Sequence, residues 1–256
     1  MILGAAALQL SAVAGEVQSN LDRLEEAIEA LPPGVTLAVA PELYTTGYDL
    51  DLVARRGHEL ATSVSGPTVE RLVSMAKVAD LTLVVGFLES EGDQLYDSVV
   101  VSAAGGEPVV YRKTHLYPAE MPVFAAGDSL VVFDDTSGTR MGLMICFEHA
   151  FPEIATTLAL EGGRVLVIPS AVPIGYEHVL ALRTRARAQD NQVFAVACNM
   201  SAPFCGLSLI VDPRGEILAQ AGTGEETIIA DLVLEAVSNE RAREPSLDLR
   251  RPELYR

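Results

Sequence analysis

One cysteine, Cys146, lies between a predicted strand and a predicted helix, and this position suits a nucleophile. The apolar run 141–145 predicts a buried strand. Pro152 and Glu153 predict the start of a helix, because proline is accepted in the first turn and glutamate suits the positive N-terminal end. A tight strand-to-helix turn exposes its side chain beside backbone N–H groups, as at the nucleophile elbow of serine hydrolases. A buried structural cysteine is the alternative, since most free cysteines are buried.

Two charged residues follow other predicted strands. Glu42 comes shortly after the apolar run 36–40, and Lys113 comes directly after the run 108–112. Sites in layered α/β folds gather just beyond strand ends. Either residue alone is more typical of a solvated surface charge. Together with Cys146, however, they supply a nucleophile, a base and a cation that can bind an oxyanion, so the combination predicts nucleophilic catalysis.

Other kinds of site are disfavoured. His149 follows Cys146 by three residues, but a histidine in the next helical turn should point away from the nucleophile, and a catalytic partner should come from elsewhere in the fold. We expect His115 to be a structural loop residue. Cys198 and Cys205 lack the close spacing and histidine partners of a zinc site. The sequence contains no phosphate loop, metal-binding helix motif or Gly-x-Ser-x-Gly.

The elements that position these residues alternate between strand and helix patterns. Strands are predicted at 2–10, 36–40, 81–88, 95–103, 108–112, 130–133, 141–145, 165–168, 194–199, 207–211, 216–219 and 227–232. Helices are predicted at 16–31, 68–79, 151–162 and 177–190, with an irregular or partly helical segment at 43–57 and a long loop at 114–128. Hairpins interrupt the alternation, so we expect an α/β layered fold with mixed sheets. No repeat or linker divides residues 1–256, which predicts a single domain.

Composition limits the possible partners. The chain has 256 residues, of which 49% are hydrophobic, and a formal net charge of −17. Such a chain can bury a large core and repels phosphate backbones, so a nucleic-acid partner is not expected. Its three cysteines imply no disulfide framework. Residues 2–14 are apolar, but no Lys or Arg precedes them, and no apolar run is long enough to span a bilayer. We therefore expect a soluble cytoplasmic protein.

Three ordered blocks resemble the signature blocks of the nitrilase superfamily of carbon–nitrogen hydrolases. They are residues 41–48 (PELYTTGY), 111–116 (YRKTHL) and 146–153 (CFEHAFPE). Further similarities extend nearly from end to end: Gln9 and Asn20, the loop with Glu120, Phe124 and Gly127-Asp128, the block 185–192 with Asp190 in place of the usual Glu, and the C-terminal motif 250–255.

This resemblance implies an αββα sandwich with mixed sheets and helices on the outer faces. It also implies a Glu42–Lys113–Cys146 triad, a second glutamate at Glu120, no cofactor, no metal, and a homodimer that pairs through the helices beside the nucleophile. The apolar segment 154–160 after Cys146 is a candidate for that contact.

The chemistry implied for the triad is amide hydrolysis. Lys113 should favour the thiolate of Cys146, and Glu42 should act as general base. Lys113 and the backbone N–H of Phe147 should hold the oxyanion, and a thioester on Cys146 should then be hydrolysed. Glu120 should orient Lys113 or the substrate nitrogen.

We expect Tyr48, Glu120, Phe147 and the segment Ser170-Ala171-Val172-Pro173 to line the substrate pocket. Phe147 stands where many true nitrilases have Trp, and the long C-terminal extension of many nitrilases is absent. A small carboxamide, carbamoyl or ω-amide compound is therefore the favoured substrate. A small nitrile is the alternative within the family. A non-catalytic ligand-binding protein on the same fold is a further alternative, which the intact triad disfavours.

Overall fold

The computed structural model describes residues 1–104 and 106–254, which form two six-stranded sheets between layers of helices. Tyr255, the last residue of the predicted C-terminal motif, and Gly105 lie outside the described residues. The strands are β1 (Ile2–Gln9), β2 (Val35–Val39), β3 (Thr82–Glu91), β4 (Gln94–Ser102), β5 (Val109–Arg112), β6 (Val132–Asp134), β7 (Arg140–Leu143), β8 (Val165–Ser170), β9 (Phe194–Asn199), β10 (Leu209–Val211), β11 (Ile217–Gln220) and β12 (Glu226–Val233). The helices are α1 (Val17–Glu29), α2 (Leu50–Leu60), α3 (Pro67–Ala79), α4 (Pro152–Leu160), α5 (Glu177–Asn191) and α6 (Glu235–Arg243).

Both sheets are mixed, as predicted. The first has the order β12-β1-β2-β3-β4-β5, in which β1, β2 and β3 are parallel and the other pairs antiparallel. The second has the order β11-β10-β9-β8-β7-β6, in which β7, β8 and β9 are parallel. Helical crossovers join the parallel strands, and the hairpin predicted at Gly92 joins β3 to β4.

The sheets pack face to face, and each carries helices on its outer face. Along β1, Ala5 and Ala7 lie in the core between the sheets, whereas Ala6 and Leu8 pack against α1 and α3. In the second sheet the outer face is covered by α4 and α5. Both faces of the central strands are thus buried, which explains why these strands are almost continuously apolar. The αββα sandwich is confirmed.

Two helices differ from the sequence prediction. The segment 43–57, predicted as irregular or partly helical, contains the regular helix α2, whose first turn is capped by Asp49 accepting from the Leu52 N–H at 2.8 Å. Helix α6 was not predicted, because its sequence is strongly polar and buries only Val237 and Glu240. Among the described residues, no helix is both long and apolar enough to cross a membrane.

Candidate active site

The structure brings Glu42, Lys113 and Cys146 to one edge of the sandwich. Strand β5 is parallel to β3 and β2 because two antiparallel pairings separate β5 from β3. Glu42 and Lys113 therefore leave the same edge of the first sheet. Cys146 follows β7 of the second sheet and lies close enough for Glu42 and Lys113 to affect its thiol electrostatically.

The Lys113 ammonium lies at the centre of three carboxyl groups. Its Nζ donates to Glu42 Oε1, to Glu120 Oε1 at 2.7 Å and to Asp97 Oδ2 at 3.1 Å. Burial alone would lower the pKa of Lys113, but the carboxyl groups outweigh burial and raise it well above its ordinary value. One oxygen from each carboxyl lies within 4.8 Å of the others, a spacing that suits a cation. Here the ammonium already occupies that position.

Glu120 is held in place from three directions. Besides Lys113, the hydroxyl of Tyr48 donates to Glu120 Oε1 at 2.6 Å, and the backbone N–H of Tyr117 donates to Oε2 at 2.7 Å. Every oxygen of this buried carboxylate is therefore satisfied. The arrangement lets Glu120 fix the ammonium of Lys113 and lets Tyr48 fix Glu120.

Glu42 reaches the site because Gly86 lets its loop approach β3. The Gly86 N–H donates to the Pro41 carbonyl at 3.1 Å. A Cβ on residue 86 would lie 2.4 Å from the backbone nitrogen of Leu43 and 2.6 Å from Cα of Glu42. No side chain fits there without moving the backbone that carries Glu42, so this glycine is required for close approach.

Cys146 occupies a strained turn, as the elbow hypothesis requires. Its φ is +43°, a left-handed conformation that non-glycine residues rarely adopt. A short 3₁₀ turn, Cys146–Ala150, separates β7 from α4. Burial of the thiol raises its pKa well above the ordinary value, and the Glu42 carboxylate adds to this, while Lys113 and a hydrogen bond from the Ala171 backbone oppose it. Lys113 thus acts in the predicted direction, toward the thiolate, while burial acts against it.

Glu148 connects the Cys146 turn to the Lys113 loop, a role that the sequence analysis missed. Its Oε2 accepts from the Ile145 N–H at 2.7 Å, and its Oε1 accepts from the Tyr111 hydroxyl and the Thr114 N–H, each at 2.7 Å. The carboxylate is fully buried. It lies within the block 146–153, but nothing in the spacing distinguishes it from a surface glutamate.

An apolar cavity of about 270 Å³ opens beside Cys146. Most of the predicted lining residues line it: Tyr48, Glu120, Phe147, Ala171, Val172 and Pro173. Ser170 does not: it is fully buried and its hydroxyl donates to the Ile168 carbonyl at 3.2 Å. The reason is strand alternation, because neighbouring side chains at the end of β8 point to opposite sides. The remaining lining residues are Leu50, Tyr117, Ala119, Cys146, His149, Tyr176, Val179, Arg183 and Phe204.

His149 and Arg183 also line this cavity, which the sequence analysis did not predict. The ring of His149 was expected to point away from the nucleophile, yet it lies on the wall of the same cavity. It makes no hydrogen bond to Cys146 among the contacts of the described residues. Burial and the nearby Arg183 and Arg187 lower its pKa to about 3, so the imidazole is neutral. This charge state and geometry do not support a Cys–His pair.

Comparison with known proteins gives one consistent family. A model described as carbon-nitrogen hydrolase matches residues 4–242. An (R)-stereoselective amidase from a Pseudomonas species is 32% identical over 91% of this chain and 86% of its own length. A protein named nitrilase from Pyrococcus abyssi is 35% identical over 88% of each chain. The omega-amidase NIT3 of Saccharomyces cerevisiae is 30% identical over 98% of this chain and 94% of its own.

Solved structures agree with this comparison. The crystal structure of yeast Nit3, described as a member of branch 10 of the nitrilase superfamily, superimposes with a TM-score of 0.90 at 29% identity, covering 99% of this chain and 97% of that one. An amidase from Nesterenkonia sp. AN1, solved as a double mutant in complex with acrylamide, superimposes with a TM-score of 0.86 at 25% identity, covering 99% and 95%.

Proposed function

The chain belongs to the carbon–nitrogen hydrolase family, and we propose that it hydrolyses a small carboxamide to the acid and ammonia through a thioester on Cys146. One observation carries this proposal. The Cys146 turn borders an apolar cavity, and the buried pair of Lys113 and Glu42 lies near enough to act electrostatically on the Cys146 thiol. A protein that only bound ligands would not need a charged pair buried next to a strained cysteine.

The first chemical step joins Cys146 to the amide carbon. Because burial raises the pKa of the Cys146 thiol, Glu42 takes its proton as the sulfur attacks, rather than after a thiolate has formed. Burial raises the pKa of Glu42 above its ordinary value, with Lys113 opposing, and this brings the base closer to the working pH. The Lys113 ammonium and the Phe147 backbone N–H hold the developing oxyanion.

The second half of the reaction releases ammonia and then the acid. Glu42 passes its proton to the leaving nitrogen, the C–N bond breaks, and the acyl group remains on sulfur. Glu42 next removes a proton from water, and the water oxygen attacks the thioester carbon. The C–S bond breaks, and Glu42 gives the proton to the Cys146 sulfur. Amide and water are thereby converted into acid and ammonia, and the enzyme is restored. Glu120 keeps Lys113 in position throughout.

The choice between amide and nitrile is tested with matched pairs that share one carbon skeleton. An amide gives an oxyanion, which the Lys113 ammonium can stabilise, whereas a nitrile gives a thioimidate without an oxyanion at first. We expect kcat/KM for ammonia release to be higher with the amide of each pair. Higher values for the nitriles would reverse the choice, and no turnover of either class would favour the non-catalytic alternative.

Two residues of the cavity lining support an amide that also carries a carboxylate. The guanidinium of Arg183 forms no hydrogen bond or ion pair with the residues that the structure describes, although acidic residues outnumber basic ones by 35 to 18. The neutral ring of His149 lies nearby. A substrate carboxylate could pair with Arg183 in bidentate fashion and accept from His149. We therefore propose an ω-amide with a short apolar chain as the preferred substrate.

Replacing Arg183 with leucine is expected to raise KM for an ω-amide acid about 10- to 100-fold. This factor corresponds to the binding free energy of one charge-assisted hydrogen bond. The uncharged amide of the same chain length is the control substrate, and its KM should change less than about threefold. Steady-state ammonia release measures both. Equal changes for the two substrates would mean that Arg183 only packs against the cavity, and the carboxylate would then be excluded.

We also propose that two single-domain copies pair through α4 and α5. These helices pack against each other and expose Leu160 and Leu182 to solvent, at 52% and 66%. Light scattering at low micromolar concentration should show a dimer, and Leu182→Glu should dissociate it. Val78→Glu is the matched control, since Val78 is 84% exposed on α3 at the opposite layer. A strictly monomeric wild type with full activity would contradict the proposal.

A reducing compartment suits this enzyme, and we propose that it works in the cytoplasm. Cys146, Cys198 and Cys205 are all free. A cysteine nucleophile must stay reduced to attack, and cytosolic thiols are kept reduced.

A further inference from the structure

Asp97 is an additional carboxyl group that the proposed reaction does not use. It lies near the start of β4, and because β4 is antiparallel to β5, this part of the strand lies at the edge where Lys113 leaves β5. The side chain is fully buried, and its only hydrogen bond among the described residues is the 3.1 Å contact from Lys113 Nζ to Oδ2. Oδ1 has no partner there, and neither has Oε2 of Glu42.

Two unpartnered carboxyl oxygens in one buried site require an explanation. Asp97 and Glu42 lie within hydrogen-bonding reach of each other, yet two ionised carboxylates have no proton to share. With Glu120 ionised as well, three negative charges would face the single positive charge of Lys113 in a site closed to water. Like charges this close do not all ionise, and one carboxyl keeps its proton.

The contacts identify which carboxyl keeps it. Glu120 accepts from three donors, and neither of its oxygens is left without a partner. Glu42 has the closest contact with the ammonium of Lys113. Asp97 has the longest and weakest contact, and burial raises its pKa well above the ordinary value. A proton on Oδ1 of Asp97, directed at Oε2 of Glu42, would satisfy both unpartnered oxygens at once.

We propose that Asp97 is protonated in the resting enzyme and donates a hydrogen bond to Glu42, as a positioning residue that keeps the base ionised and correctly oriented. The inference rests on the proposed function, because it gives Glu42 the role of base. Other groups facing the pair are Lys113, Glu120, the neutral Cys146 thiol and the Tyr48 hydroxyl, which donates to Glu120. Asp97 itself touches no reacting atom.

This arrangement has a consequence at alkaline pH. When Asp97 loses its proton, Glu42 loses a donor and gains a negative neighbour, so its pKa rises further and the Lys113 ammonium is drawn toward Asp97. Activity should therefore fall as pH rises through the pKa of Asp97. Asparagine keeps the donor and cannot ionise, so this alkaline decline should disappear in Asp97→Asn.

The experiment compares Asp97→Asn with Asp97→Leu, which has similar volume and no donor. We expect Asp97→Asn to lower kcat less than about tenfold and Asp97→Leu to lower it about 10- to 100-fold more, the cost of losing a hydrogen bond to a charged group. The alkaline limb of kcat/KM should be lost in both variants, because neither side chain can ionise. An equal loss of kcat in both variants, or an unchanged alkaline limb of kcat/KM in Asp97→Asn, would overturn the proposal.

Infrared spectroscopy of the resting protein provides a readout that needs neither substrate nor Asp97→Leu. The wild type should show the carbonyl band of a protonated carboxylic acid, and Asp97→Asn should lack it. Absence of that difference would overturn the protonated state even in an active enzyme. Conversely, a protein that shows the band but hydrolyses no amide would refute the proposed function and leave the protonation of Asp97 standing.

Discussion

Replacement of Cys146 with alanine is expected to abolish amide hydrolysis, lowering kcat by at least about 10⁴-fold, because removal of a nucleophile removes the covalent route altogether. The fold should persist, since the change removes one sulfur from the wall of a cavity. Ammonia release measures the activity, and circular dichroism with thermal unfolding measures the fold. Intact-protein mass spectrometry with a slow amide should show an acyl adduct on the wild type only.

Cys198→Ala is the matched control for this variant. Cys198 is buried in the core between the sheets, and its sulfur donates to the Leu8 carbonyl at 3.3 Å. We expect a small loss of stability, on the order of 1 kcal/mol, with kcat per folded molecule retained. Ammonia release by Cys146→Ala at more than background rates, or an acyl adduct that survives in it, would show that Cys146 is not the nucleophile.

Strand-end positions were sufficient to select Glu42, Lys113 and Cys146 from the sequence. All three follow apolar runs, and the topology then brings those runs to one edge of the sandwich. Asp97 escaped this reasoning because it lies inside β4, near its start, and only the antiparallel pairing with β5 places it beside Lys113. Sheet order, which a single sequence does not reveal, decided this part of the site.

The remaining errors have local physical causes. Ser170 and Ala171 are neighbours, and which of them faces the cavity depends on the register at the end of β8. The sequence analysis expected Lys113 to favour the thiolate of Cys146, but it had no information on burial, which raises the pKa of the thiol. Arg183 belongs to a correctly predicted helix, but its place on the cavity wall follows from the packing of α5.

Glu42→Gln and Lys113→Met are expected to lower kcat by similar large factors, each about 10³-fold or more, and the double variant should be hardly worse than either single one. The reason is that base and cation act on the same attack by Cys146, and residues that act as a unit show strongly non-additive losses. Single-turnover ammonia release measures each variant. Near-wild-type rates, or a double variant with the full product of both losses, would contradict a common function.

The two variants should differ in their free energy of unfolding, even though they lose similar amounts of activity. Glu42→Gln keeps its shape and removes one of the negative charges around Lys113, so little destabilisation is expected. Lys113→Met leaves Glu42, Asp97 and Glu120 buried without their cation, and loss of one partner from a buried ionic site costs about 3–5 kcal/mol. Lys77→Met, which removes an exposed lysine from α3, is the control for a change of overall charge.

The loss of stability in Lys113→Met should also depend on pH, and it should grow as pH rises. Without the ammonium, Glu42 and Asp97 lose the positive charge that opposes the effect of burial, so their folded-state pKa values lie further above the unfolded values. Such groups stabilise the folded state at low pH, and this stability is lost as pH rises through the folded-state pKa. Chemical denaturation at a series of pH values should therefore show Lys113→Met closest to wild type in mild acid and least stable in alkali. If the free energies of unfolding of wild type and Lys113→Met differed by the same amount at every pH, the charges of the carboxyl cluster would not depend on Lys113. That result would contradict the role of this lysine as the cation that balances the cluster.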